Sequence, residues 1–137
     1  MRLEEFNAGD RISMEQLLKA GKQTDRERIS MLLDADSFVE VDTFVQHRSV
    51  DFNMHLHRPY GDGVVAGHGM IDGRRVVCFA QDFAVFSGTM GEMHARKIAK
   101  IAAFAEKAQL PLIGIWDGDG QRVEDGVPAL GATGELL

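Results

Sequence analysis

Between residues 10 and 33, Ile12, Leu17, Leu18, Ile29, Leu32 and Leu33 recur at helical spacing among charged positions, which predicts a helical segment. Gly21 divides it, and Thr24 followed by Glu27 has the spacing of a capping box that would start the second piece. Asp34-Ala-Asp-Ser37 reads as its exit. From Phe38 the period changes: Phe38, Glu40, Asp42, Phe44 and Gln46 alternate with Val39, Val41, Thr43 and Val45, as in a strand. Residues 47–62, with Pro59 and His47, His55 and His57, keep neither period and are expected as a loop. Val64 to Gly69 and Arg75 to Gln81 are β-rich runs around Asp72-Gly73, a tight-turn dipeptide, so a β-hairpin is expected. From Gly91 to Gln109, Met93, Lys97, Ile98, Ile101, Ala102, Ala105 and Ala108 build one alanine-rich helical face suited to close packing on a sheet. Leu110 to Trp116 is almost wholly apolar, the pattern of a strand covered on both faces. The turn Asp117-Gly-Asp-Gly120 then leads to a last helix starting near Val123 or Val127. Hairpin, helix and buried strand in that order imply α/β layering.

Length and charge narrow the classes. A chain of 137 residues supports one globular core rather than two. A net charge of −6, with Lys22, Arg26 and Arg28 interleaved with Asp25 and Glu27, offers no basic patch for nucleic acid. No run of about 18 apolar residues exists to span a bilayer, and no signal-peptide core opens the chain. The single cysteine, Cys78, forms no internal disulfide and suits a buried strand position. A soluble, cytoplasmic protein is expected.

Two turns carry candidate chemistry. Phe86-Ser-Gly-Thr-Met-Gly-Glu92 opens the long helix, and a helix N-terminus presents unpaired N–H groups to anions. Ser87, Gly88 and Gly91 are therefore candidate ligand contacts, with Lys97 and Arg96 adding cations; the plainer alternative is an ordinary helix entry with solvated basic residues. The second turn, after the apolar strand, holds the pair Gly118-x-Gly120, which lacks the glycine spacing of a dinucleotide site. His47, His55, His57 and His68 lack a completing carboxylate or thiol at metal-ligand spacing, so no metal is expected and solvated histidines are. His94 is expected at the surface rather than at a site, and Met31, Met70, Met90 and Met93 as packing residues.

The ordered combination of Gly21-Lys-Gln-Thr-Asp-Arg-Glu-Arg-Ile29, Leu32-Leu-Asp-Ala-Asp-Ser-Phe38, Arg48-Ser49, Asp51-Phe52, Arg58-Pro-Tyr-Gly-Asp-Gly63 and Gln81-Asp-Phe83 resembles the biotin-dependent acyl-CoA carboxyltransferases. These are the β subunits of propionyl-CoA and acetyl-CoA carboxylases, and the resemblance runs from about Gly21 to Leu137. It implies a crotonase-like (ClpP/crotonase) fold of ββα layers, incomplete here: an N-terminal helical segment over 1–37 and a partial carboxyltransferase N-terminal domain over 38–137. It further implies transfer of a carboxyl group from biotin, carried on a partner protein, to the α-carbon of a short acyl-CoA through an enolate. Expected partners are a biotin carrier or biotin carboxylase subunit, with a homo-oligomer or a companion chain completing the domain. Under the resemblance Ser87, Gly88, Gly91, Lys97, Gly118, Gly120 and Arg122 contact acyl-CoA. The catalytic glycine pair that holds the enolate oxygen is expected in a Gly-Pro-x-Ala-Gly-Gly segment beyond Leu137, so the lone chain is expected to be inactive. Two positions depart from the family's usual turn: Asp119 stands in place of glycine and Gln121 in place of alanine. A truncated, non-catalytic CoA-binding or assembly module, or part of a related decarboxylase or transcarboxylase, are the alternatives.

Overall fold

The computed structural model describes residue 15 and residues 17–136. The predicted first helix before residue 15 lies outside the described residues. Helix α1 (Asp25–Leu32) starts at the expected capping box, in which the Thr24 hydroxyl accepts from the Glu27 amide while the Glu27 carboxylate accepts from the Thr24 amide. Strand β1 (Val39–Val41) is followed by a long connection containing a 3-10 segment, Asp51–Leu56. The predicted strand ran to Gln46. It ends earlier because Asp42 turns into the left-handed region at φ 57°.

The hairpin forms as predicted. Strands β2 (Val64–Ile71) and β3 (Arg74–Gln81) pair antiparallel around Asp72-Gly73. Helix α2 (Glu92–Ala108) crosses back so that β4 (Leu112–Ile115) joins β3 in parallel, and the sheet order is β1-β2-β3-β4. Helix α3 (Val127–Leu136) packs against α2.

Alternation along the hairpin builds two cores. Val64, Ala66, Val77 and Phe79 face Ile98, Ile101 and Ala105 of α2, whereas Val65, Val76, Cys78 and Ala80 meet Ile29 of α1 and Leu33 just beyond it. Period-2 side-chain alternation is the cause, since each strand presents successive residues to opposite layers. Each fully buried Val or Ile side chain contributes roughly 1.5–3 kcal/mol. Strand β4 departs from expectation: Leu112 is 41% and neighbouring Trp116 57% exposed, so the apolar run is not covered on both faces among the described residues. Met31 and Met70 are likewise exposed rather than packed.

Candidate functional site

The fold brings the two predicted turns into contact. Phe86–Gly88 forms a 3-10 turn between β3 and α2, and Asp117–Gly120 follows β4. The Asp119 amide donates to the Ser87 carbonyl (3.1 Å), the Met90 amide to the Gly120 carbonyl (2.7 Å) and the Arg122 amide to the Met90 carbonyl (3.0 Å). Glycine is needed at the junction: a Cβ on Gly118 would sit 2.2 Å from the Gly88 carbonyl oxygen, and one on Gly88 would sit 2.2 Å from that of Asp117. Phe86, Ser87 and Gly88 also run in succession through left-handed backbone, at φ 48°, 53° and 65°, a local strain that the surrounding contacts hold in place. Gly88→Ala should therefore push the turns apart and cost about 1–3 kcal/mol by overpacking. A urea-unfolding midpoint equal to that of the unaltered chain would contradict this.

Behind the junction lies a buried polar network. Arg122, fully buried, pairs with Asp62 at 2.5 Å and donates to the Thr89 carbonyl at 3.0 Å. Asp62 accepts from the His94 amide and Asp125 from the Glu92 amide, each at 3.0 Å. Two of the first-turn donors of α2, the Glu92 and His94 amides, are thus taken by the chain's own carboxylates rather than left for a ligand phosphate. Gly91, expected as an anion contact, is the N-cap of this helix and lies against the Asp125 carboxylate and the Arg122 guanidinium. The reading of Arg122 as a ligand contact is corrected, its charge being spent inside.

Lys97 is corrected in the same way. Its ammonium is buried and donates to the Val64 carbonyl at 2.5 Å, and burial lowers its pKa to about 8. Arg96, half-exposed, pairs with Glu92 at 3.2 Å. His94 was expected at the surface and is instead wholly buried: burial first, then the Arg122 charge, pushes its pKa down to about 3. Held neutral, its Nδ1–H donates to the Asp62 carbonyl and its Nε2 accepts from the Gln81 amide nitrogen. His47, expected to be solvated, is 1% exposed and bonded to the His57 carbonyl; His55 and His57 are exposed. Cys78 is buried as expected, and burial raises its thiol to about 11. Among the described residues no cluster of metal-ligating side chains forms, and no helix is long and apolar enough to cross a membrane.

What the junction leaves open is a depression of about 290 Å³ lined by Gln81, Met90, Trp116, Gly118, Gly120 and Gln121. The amides of Gly118, Gly120 and Gln121 have no acceptor among the described residues. Gln81 was missed as a site residue: its side-chain oxygen accepts from the Asp117 amide while its nitrogen donates to His94. Gln121, expected to crowd the turn, ties it to α3 through the Ala129 carbonyl (3.0 Å) and the Thr133 hydroxyl (2.6 Å). Asp119 is exposed. The site therefore offers backbone donors beside a partly apolar wall, rather than a cationic cradle.

Residues 16–137 match the family described as the carboxyl transferase domain. The chain belongs to that family. It is 50% identical over 134 residues to the propionyl-CoA carboxylase beta chain of Saccharopolyspora erythraea, covering 98% of this chain and 24% of that one. It is 52% identical over 125 residues to a biotin-dependent acetyl-/propionyl-coenzyme A carboxylase β5 subunit of Mycobacterium tuberculosis, covering 91% of this chain and 23% of that one. The chain thus spans about a quarter of the length of the curated relatives it matches. Among solved structures, transcarboxylase 12S, a hexamer with methylmalonyl-coenzyme A and methylmalonic acid bound, superimposes with a TM-score of 0.92 at 35% identity, over 97% of this chain and 26% of that one. The fold is the α/β, crotonase-like architecture of these carboxyltransferases.

Proposed function

We propose that this carboxyl transferase domain chain forms the acyl-CoA-handling part of a biotin-dependent carboxyltransferase, whose reaction moves a carboxyl group to the α-carbon of propionyl-CoA or acetyl-CoA. The observation that carries the reading is the row of amides at Gly118, Gly120 and Gln121, without an acceptor among the described residues, beside the 290 Å³ depression. Backbone N–H groups fixed in a turn stabilise negative charge on an acyl oxygen or phosphate without reorganisation, which is the logic of an oxyanion hole. Ser87 and Gly88 pack against the Gly118–Asp119 stretch of that turn, and the Gln81 and Gln121 amides line the wall without adding a charge. Biotin, carried on a partner protein, would supply the carboxyl group. This chain's residues bind and orient the acceptor, and the glycine pair that holds the enolate oxygen is expected from the segment following these turns in the family.

Residues 38–137 are proposed as part of the carboxyltransferase N-terminal domain, with 1–37 as a helical segment docked through Ile29 and Leu33. The exposed Leu112 and Trp116 along β4 favour association with a second copy or a companion chain. A cytoplasmic setting, with a biotin carrier or biotin carboxylase subunit as partner, completes the reading. One observation favours a second reading, a non-catalytic CoA-binding module: the exposed Asp119 carboxylate lies in the turn that would receive an anionic ligand.

Calorimetry with propionyl-CoA tests both. Asp119→Gly should tighten binding by about fivefold at low salt, consistent with an exposed charge contributing roughly 1 kcal/mol. Gln121 should be left in place, because it anchors α3. No binding by either form would refute the reading. Binding supports the acyl-CoA reading; methylmalonyl-CoA formed once a carboxybiotin donor and the segment that follows these turns in the family are both supplied supports the transferase, whereas binding without turnover in that complete assembly favours the module.

A further inference from the structure

Asp117 is the one residue of the glycine turn gripped from both sides. Its amide donates to the Gln81 side-chain oxygen at 2.8 Å. Its carboxylate accepts from Lys22 Nζ at 2.8 Å and from Arg28 Nη2 at 2.7 Å. Both cations belong to the N-terminal helical segment, 95 and 89 positions away in sequence. Lys22 also stands 3.9 Å over the ring of Phe83, in the stretch that leads from β3 into the Ser87 turn. The N-terminal segment therefore touches both halves of the junction. Burial raises the Asp117 carboxyl, yet the hydrogen bonds and charges of Lys22 and Arg28 outweigh it and hold the group below the usual carboxylate range, so it is ionised.

This arrangement has a purpose that packing alone does not supply. Gly118 and Gly120 have wide backbone freedom, with Gly120 at φ 105°, and ordering such residues at the moment of binding would weaken the complex. Charge-assisted bonds are the stronger and more directional kind. We propose that Lys22 and Arg28 are positioning residues for acyl-CoA binding, acting through Asp117 to fix the Gly118 to Gln121 amides before the ligand arrives. The inference rests on the acyl-CoA reading above and adds a control point on α1, outside the turns that line the depression.

The sign of one substitution separates this from ordinary electrostatics. Removing an anion near a polyanionic ligand should tighten binding, whereas Asp117→Asn should weaken propionyl-CoA binding by about tenfold, as expected when a charge-assisted contact is lost. Arg28→Met should weaken it similarly in the wild-type background and add almost nothing in Asp117→Asn, because both break one contact. Arg28→Lys keeps a charge facing Asp117 and should recover most of the affinity. A readout without ligand accompanies these: amide hydrogen exchange at Asp117, Asp119 and Met90 should quicken in Asp117→Asn and Arg28→Met, while Val77 and Phe79 in β3 stay protected.

Additive losses for Arg28→Met and Asp117→Asn would place Arg28 on the ligand and overturn the proposal. So would unchanged exchange in the turn. If Asp117→Asn fails to fold, Lys22→Met and Arg28→Lys make the same comparison through the cations, with loss of turn protection expected in the first and retention in the second. Faster turn exchange in a protein that binds no propionyl-CoA would uphold the clamp as a structural device and refute the ligand reading on which its function depends.

Discussion

Replacing Arg122 with methionine should cost about 3–5 kcal/mol of stability, the usual consequence of stripping one partner from a buried ion pair. The guanidinium is fully buried, 2.5 Å from Asp62 and 3.7 Å from Asp125, and it also serves the Thr89 carbonyl. Methionine fills much of the volume, yet leaves two carboxylates under the first turn of α2 with only helix amides to balance them. A second change should return part of the loss: Asp62→Asn in the Arg122→Met background removes one unpaired charge and keeps an oxygen for the His94 amide. The pair therefore predicts strong non-additivity, Asp62→Asn being harmful alone and helpful in combination. Urea unfolding of the four forms measures it. A loss under about 1 kcal/mol for Arg122→Met would mean that Arg122 is not the counter-charge of the network.

Local rules recovered the local structure. Thr24 and Glu27 named the start of α1, Asp72-Gly73 the hairpin turn, and the stripe Ile98, Ile101, Ala105 the packed face of α2. The glycine turns were also legible, because their composition singles them out and their order along the chain follows that of the family. What stayed hidden was the interior polar network. Lys97 and Arg122 read as ligand contacts because long cations are mostly solvated, and their actual partners, Val64 and Asp62, lie 33 and 60 positions away. One signal was present and unused: His94, Lys97, Ile98, Ile101 and Ala105 fall on a single helical face, so burial of the apolar members drags the two polar ones inward. Asp42 hid the end of β1 for a different reason, since a left-handed aspartate leaves the alternation of apolar residues intact. Gln81 and Lys22 could be placed at the site only by the sheet and α1, as their partners come from the far end of the chain.

Acidification should move two variants in opposite directions relative to the wild-type chain. Burial, with the neighbouring Arg122 charge, holds the His94 pKa at about 3 against an ordinary 6.5. From pH 6.5 down to 3 the unfolded chain takes up a proton that the folded chain refuses, so this group removes stability as pH falls. Asp25 does the reverse. Its burial, then the adjacent Asp82 carboxylate, raise its pKa to about 7 from 3.8. Between pH 7 and 3.8 the folded chain binds the proton first, so stability is gained as pH falls and lost again as it rises through 7. Each linkage is on the order of 4 kcal/mol, and over their shared window the two nearly cancel. His94→Gln, which stays neutral, should leave the Asp25 term alone and become more stable between pH 7 and 4.5. Asp25→Asn keeps an oxygen for the Arg26 amide, removes the opposing term, and should lose stability over the same interval. Urea midpoints at the two pH values decide the matter: Asp82 is also raised by burial and titrates together with Asp25, so Asp25→Asn reads that pair, while the remaining carboxylates contribute equally to all three proteins. If both variants follow the wild-type pH profile, neither residue carries the linkage that its burial implies.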